Sequence, residues 1–222
     1  MIVLFTDFGI EDPYVGQLHG VLAQRAPGVP VVDLFHSVPN FDIRAAAYLL
    51  PAYAAEFPPG TIFLCVVDPG VGTARRPLML AVDGCWYVGP DNGLFHILVR
   101  RAHSARCYTI NWRPAQLSPS FHGRDLFAPV VAMLARGEQP DSGPTKLGLP
   151  HGPEWPDDLA RVLYIDHYGN IITGVRAGGL DKDAIIKAGD HEIAYARVFA
   201  DAVADRPFWH ENANGLVEIA IN

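Results

Sequence analysis

Apolar residues along the first 136 positions fall into short unbroken runs and helix-spaced repeats. The run at residues 2–5 predicts a strand. Asp12 followed by Pro13 is typical of a helix start, and apolar positions at helical spacing continue to Arg25. Further strands are predicted at 29–34, 61–67, 78–82, 86–88 and 107–111. Further helices are predicted after Asn40, with Pro51 kinking or ending that helix, at 93–101 and at 125–136. This alternation predicts an α/β fold with a largely parallel central sheet.

The pattern changes near residue 140. Residues 137–158 are rich in turn formers and show little periodicity, which is typical of a connecting segment. Short apolar runs separated by turns follow at 161–165, 170–175, 192–198 and 215–221. The sequence therefore predicts an N-terminal α/β domain over 1–140, a linker over 141–158 and a small all-β domain over 159–222.

Composition and charge narrow the classes of protein. Half of the 222 residues are hydrophobic, enough for a full core, and the formal net charge of −7 argues against a nucleic-acid partner. No apolar run reaches about 18 residues, so we expect no membrane-spanning helix and no membrane partner. The first residues resemble a strand rather than a basic leader, so we expect a cytoplasmic protein. Cys65, Cys85 and Cys107 lie in apolar runs and are expected to be buried free thiols.

Polar residues follow several of the predicted strands. Asp68 and Arg75 belong to the Gly/Pro-rich loop after the strand at 61–67, and His122 stands in a similar loop of the segment Phe121-His122-Gly123-Arg124-Asp125. Each of the three has a plain structural alternative: a turn-capping aspartate, a surface arginine and a buried histidine. Loops held by a rigid sheet are where chemistry is usually placed. Together, an Asp, an Arg and a His could hold and polarise a water molecule.

Other interpretations of these loops stay open. Gly70-Val71-Gly72 suggests a phosphate loop, but no Gly-Lys-Ser/Thr follows, so a tight turn is favoured. A metal site is the main rival, with candidate ligands Asp7, Asp68, Asp91, His122 and Asp125. It lacks a closely spaced histidine ligand pair, and Arg124 stands two residues from His122. Asp7 and Asp91 could cap helices or grip the two hydroxyls of a ribose. The segment 166–170 could be a simple turn or could offer a carboxylate, an aromatic face and an amide.

The motifs together resemble those of a known family. They are Thr6-Asp7-Phe8-Gly9 with Asp12-Pro13-Tyr14-Val15-Gly16, Val67-Asp68-Pro69-Gly70-Val71-Gly72, Gly89-Pro90-Asp91-Asn92-Gly93-Leu94, Phe121-His122-Gly123-Arg124-Asp125 and Asp166-His167-Tyr168-Gly169-Asn170. In this order they resemble the adenosine-forming S-adenosyl-L-methionine hydrolases, or SAM hydroxide adenosyltransferases, which are related to fluorinase and chlorinase. The resemblance implies an N-terminal α/β domain, a small C-terminal β-barrel and a homotrimer with active sites at subunit interfaces.

The resemblance also implies a reaction. Water or hydroxide attacks the ribose C5′ of S-adenosylmethionine (SAM) and gives adenosine and methionine. A sulfonium is a good leaving group, so neither a metal nor an organic cofactor is expected. An acidic pocket suits this cationic substrate. A halide-dependent transferase and a non-catalytic adenosine- or SAM-binding module are the alternatives.

Residue roles follow from the same resemblance. The catalytic residues are expected to be Asp68, Arg75 and His122, and retention of this trio favours hydroxide over halide as the nucleophile. The expected substrate-binding residues are Asp7, which grips the ribose, and Asp12, Phe41, Asp91, Asn92, Asp166, Tyr168 and Asn170. Ala213 stands where the family has a serine, so a contact to the methionine carboxylate is expected to be missing.

Overall fold

The chain is described here from a computed structural model that covers residues 1–148 and 155–222. These residues form two compact units. The first contains 1–51 and 57–148, and the second contains 52–56 and 155–222. Within the described ranges, no helix is both long and apolar enough to cross a membrane.

A seven-stranded sheet forms the centre of the first unit. Its strands are β1 (Ile2–Thr6), β2 (Val31–Phe35), β3 (Ile62–Val66), β4 (Pro77–Val82), β5 (Cys85–Pro90), β6 (Ala105–Ile110) and β7 (Ser142–Thr145). They lie in the order β2-β1-β3-β5-β4-β6-β7. The pairs β2–β1, β1–β3 and β3–β5 are parallel, whereas β5–β4, β4–β6 and β6–β7 are antiparallel. The predicted α/β class is confirmed, and the sheet is mixed.

A two-residue turn explains why β4 and β5 pair in antiparallel fashion. Asp83 and Gly84 have φ angles of 46° and 85° and connect β4 directly to β5. An Asp-Gly pair with positive φ at both positions is the preferred turn of a tight hairpin, and a hairpin forces antiparallel pairing. This short signal outweighs the strand–helix alternation seen elsewhere in the chain.

The helices of the first unit largely follow the predicted positions. They are α1 (Pro13–Arg25), α2 (Ile43–Ala54), α3 (His96–Arg101), a π-helical turn (Gly123–Phe127) and α4 (Ala128–Ala135). The start of α2 is capped by Asp42, whose carboxylate accepts a hydrogen bond from the Ala45 N–H at 2.9 Å, rather than by Asn40. Pro51 lies inside α2 and does not end it.

One core cluster of the first unit lies between the sheet and helices α1 and α4. Leu18 and Leu22 of α1 and Val130 and Val131 of α4 are fully buried against apolar residues of β1 and β3. Burial of this kind is the main stabilising contribution to the domain. It fixes the strand ends from which the polar loops emerge.

The three cysteines are free thiols, as predicted. Cys65 and Cys85 are buried and Cys107 is half-buried. Burial raises the pKa of each thiol, which favours its protonated and unreactive form.

The strands of the second unit all lie in residues 155–222, which form the predicted all-β part of the chain. Its strands are β8 (Leu159–Ile165), β9 (Ile171–Arg176), β10 (Ile186–Ala188), β11 (His191–Tyr195), β12 (Pro207–Glu211) and β13 (Leu216–Ile221), with short 3-10 turns at Ala177–Gly179 and Phe199–Asp201. They form one curled sheet in the order β10-β11-β12-β13-β9-β8. Trp209 and Val217 are buried in its core. The predicted strands omitted β10 and β12.

The predicted linker needs a correction at its start. Ser142–Thr145 forms β7, which pairs with β6 at the edge of the first sheet, so these residues belong to the first unit. Gly143 and Pro144 read as turn formers in the sequence, but an edge strand tolerates proline because one of its sides needs no donor. Residues 149–154 of the predicted linker lie outside the described residues.

Candidate active site

The loop after β3 folds back on itself and brings Arg75 onto Asp68. Within this loop the Thr73 N–H donates to the Gly70 carbonyl at 3.1 Å. Gly72 has a φ of 79°, and a Cβ added there would lie 2.5 Å from the Pro119 carbonyl oxygen. Only glycine fits this turn without strain. The predicted role of the glycines as turn formers therefore applies to Gly72.

Asp68 and Arg75 form a buried ion pair. The Arg75 Nε donates to both carboxylate oxygens of Asp68 at 2.9 Å, and Nη2 also donates to Oδ2. The two side chains are only 4% and 8% exposed. The guanidinium also lies over the Phe127 ring, 5.2 Å from its centroid. A buried pair with several charge-assisted hydrogen bonds holds its carboxylate in one orientation.

His122 completes this group through Arg75. Arg75 Nη2 donates to His122 Nδ1 at 2.9 Å, so Nδ1 is the acceptor and the ring proton is on Nε2. Burial, and then the Arg75 charge, lower the pKa of His122. Both effects favour the neutral imidazole. His122 immediately precedes the π-helical turn, a feature that is frequent at functional sites.

A cavity of about 360 Å³ lies in front of the pair. Its lining includes Asp68 and His122 together with three of the predicted substrate-binding residues, which are Asp7, Asp12 and Phe41. Arg75 lies behind Asp68 and contacts both lining members of the trio. The structure thus brings five sequence-predicted residues to one cavity.

Asp7 follows β1 and is held by the backbone of Phe41, whose N–H donates to Asp7 Oδ2 at 2.9 Å. Burial raises the pKa of Asp7, the Phe41 N–H lowers it, and the nearby Asp68 charge raises it; the net shift is upward. Phe41 has a φ of 63° and is 70% exposed. An aromatic residue with positive φ is a backbone outlier, and such outliers cluster at ligand sites.

Three aromatic rings in the cavity lining were missed in the sequence. Phe8, Tyr14 and Phe121 contact one another with ring centroids 5.4–5.8 Å apart. Gly123 leaves room for them, since a Cβ there would lie 3.2 Å from Phe121 and 3.3 Å from Phe8. A signal was present, because Phe8 and Phe121 are direct neighbours of the motif residues Asp7 and His122.

Asp91 and Asn92 have other partners. Among the described residues, those lining the cavity include neither of them. The Asp91 carboxylate accepts from Arg76 Nε at 2.8 Å and from the Gly148 N–H at 3.1 Å. Asn92 Nδ2 donates to the Val67 carbonyl at 2.8 Å, so it supports the backbone next to Asp68.

The predicted residues of the second unit form a turn between β8 and β9. Asp166 Oδ1 accepts from the backbone N–H groups of Tyr168 and Asn170, at 2.9 and 2.8 Å, and Oδ2 accepts from the Asn170 side-chain amide at 3.1 Å. Tyr168 is 86% exposed. The turn is therefore rigid at Asp166 and presents an uncovered aromatic ring.

The described residues also bear on the metal alternative. Across 1–148 and 155–222, no group of three or more His, Cys, Asp or Glu side chains is placed to hold a metal ion. The Asp68 carboxylate is bound instead to a guanidinium.

Family models match both units of the chain. The model of the SAM hydroxide adenosyltransferase N-terminal domain matches residues 2–143, and that of the C-terminal domain matches residues 160–222. The chain belongs to the SAM hydroxide adenosyltransferase family. The resemblance stated from the motifs is therefore confirmed.

Individual relatives agree with this family assignment. The chain is 38% identical to the (R)-S-adenosyl-L-methionine hydrolase of Thermus thermophilus, with 100% of this chain and 91% of the relative covered. It is 37% identical to the protein of the same name from Salinispora arenicola, at 98% and 88% coverage. The fluorinase of Actinopolyspora mzabensis is more distant, at 26% identity with 100% and 90% coverage.

A solved structure shares the fold of this family member. The crystal structure of an uncharacterized conserved protein from Thermotoga maritima matches with a TM-score of 0.86 and 29% sequence identity. The match covers 100% of this chain and 92% of that one. The match therefore extends over both units of this chain.

Proposed function

We propose that the protein hydrolyses S-adenosyl-L-methionine to adenosine and L-methionine, through attack of water or hydroxide at the ribose C5′. The observation that carries the proposal is the hydrogen-bonded group of Asp68, Arg75 and His122, two members of which line one cavity. The names of the relatives that match over nearly the whole chain support the same substrate.

The chemistry needs little beyond alignment. The oxygen of water forms a bond to C5′ while the C5′–S bond breaks, and its electron pair leaves on sulfur, which becomes the neutral thioether of methionine. One proton of the water is lost, and the 5′-hydroxyl of adenosine keeps the other. No acid is needed at the leaving group. Correct placement of the two reactants can supply about 7–11 kcal/mol of the barrier.

Each member of the trio has a separate role in this proposal. The ionised Asp68 accepts the proton of the attacking water, and Arg75 fixes the carboxylate in place. The neutral His122 donates its Nε2–H to the same oxygen and stabilises its hydroxide character. The roles are consistent with the lowered pKa of His122, because a protonated ring would lose its bond from Arg75.

The cavity would bind the nucleoside part of the substrate. Asp7 is proposed to accept hydrogen bonds from the two ribose hydroxyls, and its pKa is raised first by burial, which removes the carboxylate from water. Asp12 and the exposed ring of Phe41 line the same cavity. Contacts of Asp91, Asn92, Asp166, Tyr168 and Asn170 with substrate stay predictions.

The oligomeric state, the cellular location and the domain bounds are also proposals. We propose a homotrimer with active sites at subunit interfaces and a cytoplasmic location. The family models, which match 2–143 and 160–222, support a division close to that proposed, with domains at 1–140 and 159–222.

The test is product analysis with purified protein. The relatives are named for the (R) epimer, so the epimers of the sulfonium should be resolved and offered separately. We expect adenosine and methionine in equal amounts, undiminished by a metal chelator, and no product from Asp68→Ala. Folded protein that releases neither product would overturn the proposal.

A chloride arm of the same assay tests the alternative transferase. The fluorinase relatives match at 26–28% identity and make a halide nucleophile the next candidate. A rate that rises with chloride and a 5′-halo product would favour it. Tight binding of adenosine or SAM in a calorimeter without turnover would instead favour a binding module.

A further inference from the structure

A chain of polar groups runs from the surface of the first unit to the loop that carries Asp7. Its members lie on three neighbouring elements. They are His19 of α1, Asp33 of β2, His36 directly after β2, and Thr6 at the end of β1. His19 and Asp33 are 37% and 47% exposed, whereas the side chain of His36 is only 3% exposed. His19, Asp33 and His36 were not singled out in the sequence, and Thr6 was named only as part of the motif that contains Asp7.

The distances between neighbouring members of this group of four are those of direct hydrogen bonds. Asp33 Oδ1 lies 2.8 Å from His19 Nε2 and 3.0 Å from His36 Nε2. The other ring nitrogen of His36, Nδ1, lies 2.8 Å from the Thr6 hydroxyl. That hydroxyl in turn accepts the Phe8 N–H at 3.2 Å.

The donors and acceptors of these four side chains match one tautomer of His36. Burial raises the pKa of Asp33, but hydrogen bonds from His36 and His19 outweigh it, and the net shift is downward. The ionised Asp33 accepts only, so His36 Nε2 carries the proton. The tautomer of His36 with its proton on Nε2 satisfies both contacts, since Nε2–H donates to Asp33 and Nδ1 accepts from the Thr6 hydroxyl.

His36 holds the Asp7 loop at two points. Its side chain binds Thr6, which precedes Asp7, and Thr6 holds the N–H of Phe8, which follows Asp7. The backbone carbonyl of His36 accepts the N–H of Gly9 at 2.8 Å. The loop from residue 6 to residue 9 is therefore held on both sides of the carboxylate.

We infer that His36 is a positioning residue that orients the Asp7 carboxylate for its ligand, acting through Thr6 and through the tautomer set by Asp33. The inference rests on the proposed function for the identity of that ligand. A carboxylate that must meet two hydroxyls at once tolerates little displacement, because a shift of about 1 Å at a binding group can cost up to about 100-fold in rate.

Two substitutions separate the two sides of the imidazole. In His36→Asn the short side chain places its amide oxygen near the position of Nδ1, where it can accept from Thr6. In His36→Gln the longer side chain reaches the position of Nε2 and Asp33 instead, and the Thr6 hydroxyl loses its acceptor. As a control, His103→Gln makes the same change at an exposed histidine that is not a member of this group of four.

Steady-state kinetics with SAM give the first readout. We expect His36→Gln to raise KM about 10-fold with a smaller change in kcat, and His36→Asn and His103→Gln to stay within about 3-fold of the wild type. Rescue by asparagine and not by glutamine separates a specific bond to Thr6 from a general loss of packing. Equal KM values for wild type, His36→Gln and His36→Asn would overturn the inference.

Hydrogen exchange gives a readout that does not depend on turnover. The amides of Phe8 and Gly9 should exchange faster in His36→Gln than in the wild type and His36→Asn. If His36→Gln does not fold, Thr6→Val removes the same hydroxyl and should raise exchange at Phe8. Unchanged exchange in the folded variant would overturn the role of His36. A wild-type protein that does not hydrolyse SAM would count against the proposed function alone.

Discussion

Asp68 and Asp91 look alike in the sequence but have different surroundings in the fold. Each follows a strand of the same parallel pair, β3 and β5, each side chain is 4–5% exposed, and each binds one of two adjacent arginines. Asp68 lines the cavity, and its partner Arg75 also contacts His122. Asp91 is closed off by Arg76 and by the Gly148 N–H.

The two pairs differ in the residue that each arginine contacts besides its aspartate. The two adjacent arginines bind different aspartates, Arg75 to Asp68 and Arg76 to Asp91. Arg76 continues to the Thr145 hydroxyl at 2.7 Å and ties its pair to β7 at the sheet edge. Arg75 continues to a neutral histidine beside a cavity. A buried Asp–Arg pair becomes a candidate reaction centre only where space and a further polar group adjoin it.

The same substitution at both aspartates should have opposite consequences. Asp68→Asn removes the proposed proton acceptor, and we expect kcat to fall by about 10²–10⁴-fold. Asp91→Asn weakens a structural pair, and we expect a loss of about 1–3 kcal/mol of unfolding free energy with kcat within about 3-fold of the wild type. Kinetics and denaturant titration of both variants measure the contrast. A large rate loss or a raised KM in Asp91→Asn would instead support the predicted contact of Asp91 with substrate.

His122 should define the acidic limit of activity. Its pKa is lowered from 6.5, first by burial and then by Arg75, so the ring is neutral at pH 7. We expect a flat rate between about pH 6.5 and 8 and a fall only at lower pH, where protonation breaks the bond from Arg75. His122→Asn should lose this acidic limb and about 10–100-fold in rate.

The lowered pKa of His122 also makes the stability of the folded protein depend on pH. The unfolded chain binds a proton at His122 more readily than the folded one, so stability rises with pH through the window below 6.5 and is fully present above it. In His122→Asn this part of the pH dependence should disappear from the thermal unfolding curves. A wild-type protein that gains stability on acidification through this window would contradict the assignment.

The two glycines of the Asp68 loop give a smaller contrast. Gly72→Ala places a Cβ against the Pro119 carbonyl at positive φ and should cost at least about 2 kcal/mol of unfolding free energy. Gly70→Ala meets nothing closer than 3.5 Å, so we expect a change within about 1 kcal/mol. Denaturant unfolding compares the two variants. Equal stabilities would show that the tight turn does not hold this loop.

Substitution of Asp7 should have the smallest effect on stability, and it should stabilise the folded protein. Its pKa is raised, mainly by burial, so the ionised form costs stability at pH above the raised value. Asp7→Asn keeps an acceptor for the Phe41 N–H and should raise Tm at pH 7 by about 2 °C, while KM rises about 10-fold. The gain in Tm should vanish below pH 3.8, where the Asp7 carboxyl is protonated in both the folded and the unfolded chain. A lower Tm at pH 7 would contradict the assigned shift.

The sequence predicted the trio because strand-end loops and charged residues are visible in local patterns. The contact of Arg76 with Thr145 was not predicted, because it depends on β7, which has the composition of a turn-rich segment. The antiparallel pairing of β4 with β5 follows from the Asp83–Gly84 turn, a short signal between longer ones. His36 was invisible because its role arises from burial beside Thr6, 30 positions away.

Hydrolysis in water enriched in oxygen-18 tests the central claim most directly. If a water held beside Asp68 and His122 attacks C5′, the heavy oxygen appears in the 5′-hydroxyl of adenosine and methionine stays unlabelled. The Asp68→Asn variant should form little labelled product in the same time. Heavy oxygen in the methionine-derived product, or adenosine without label, would show that the bond broken or the nucleophile is not the one assigned here.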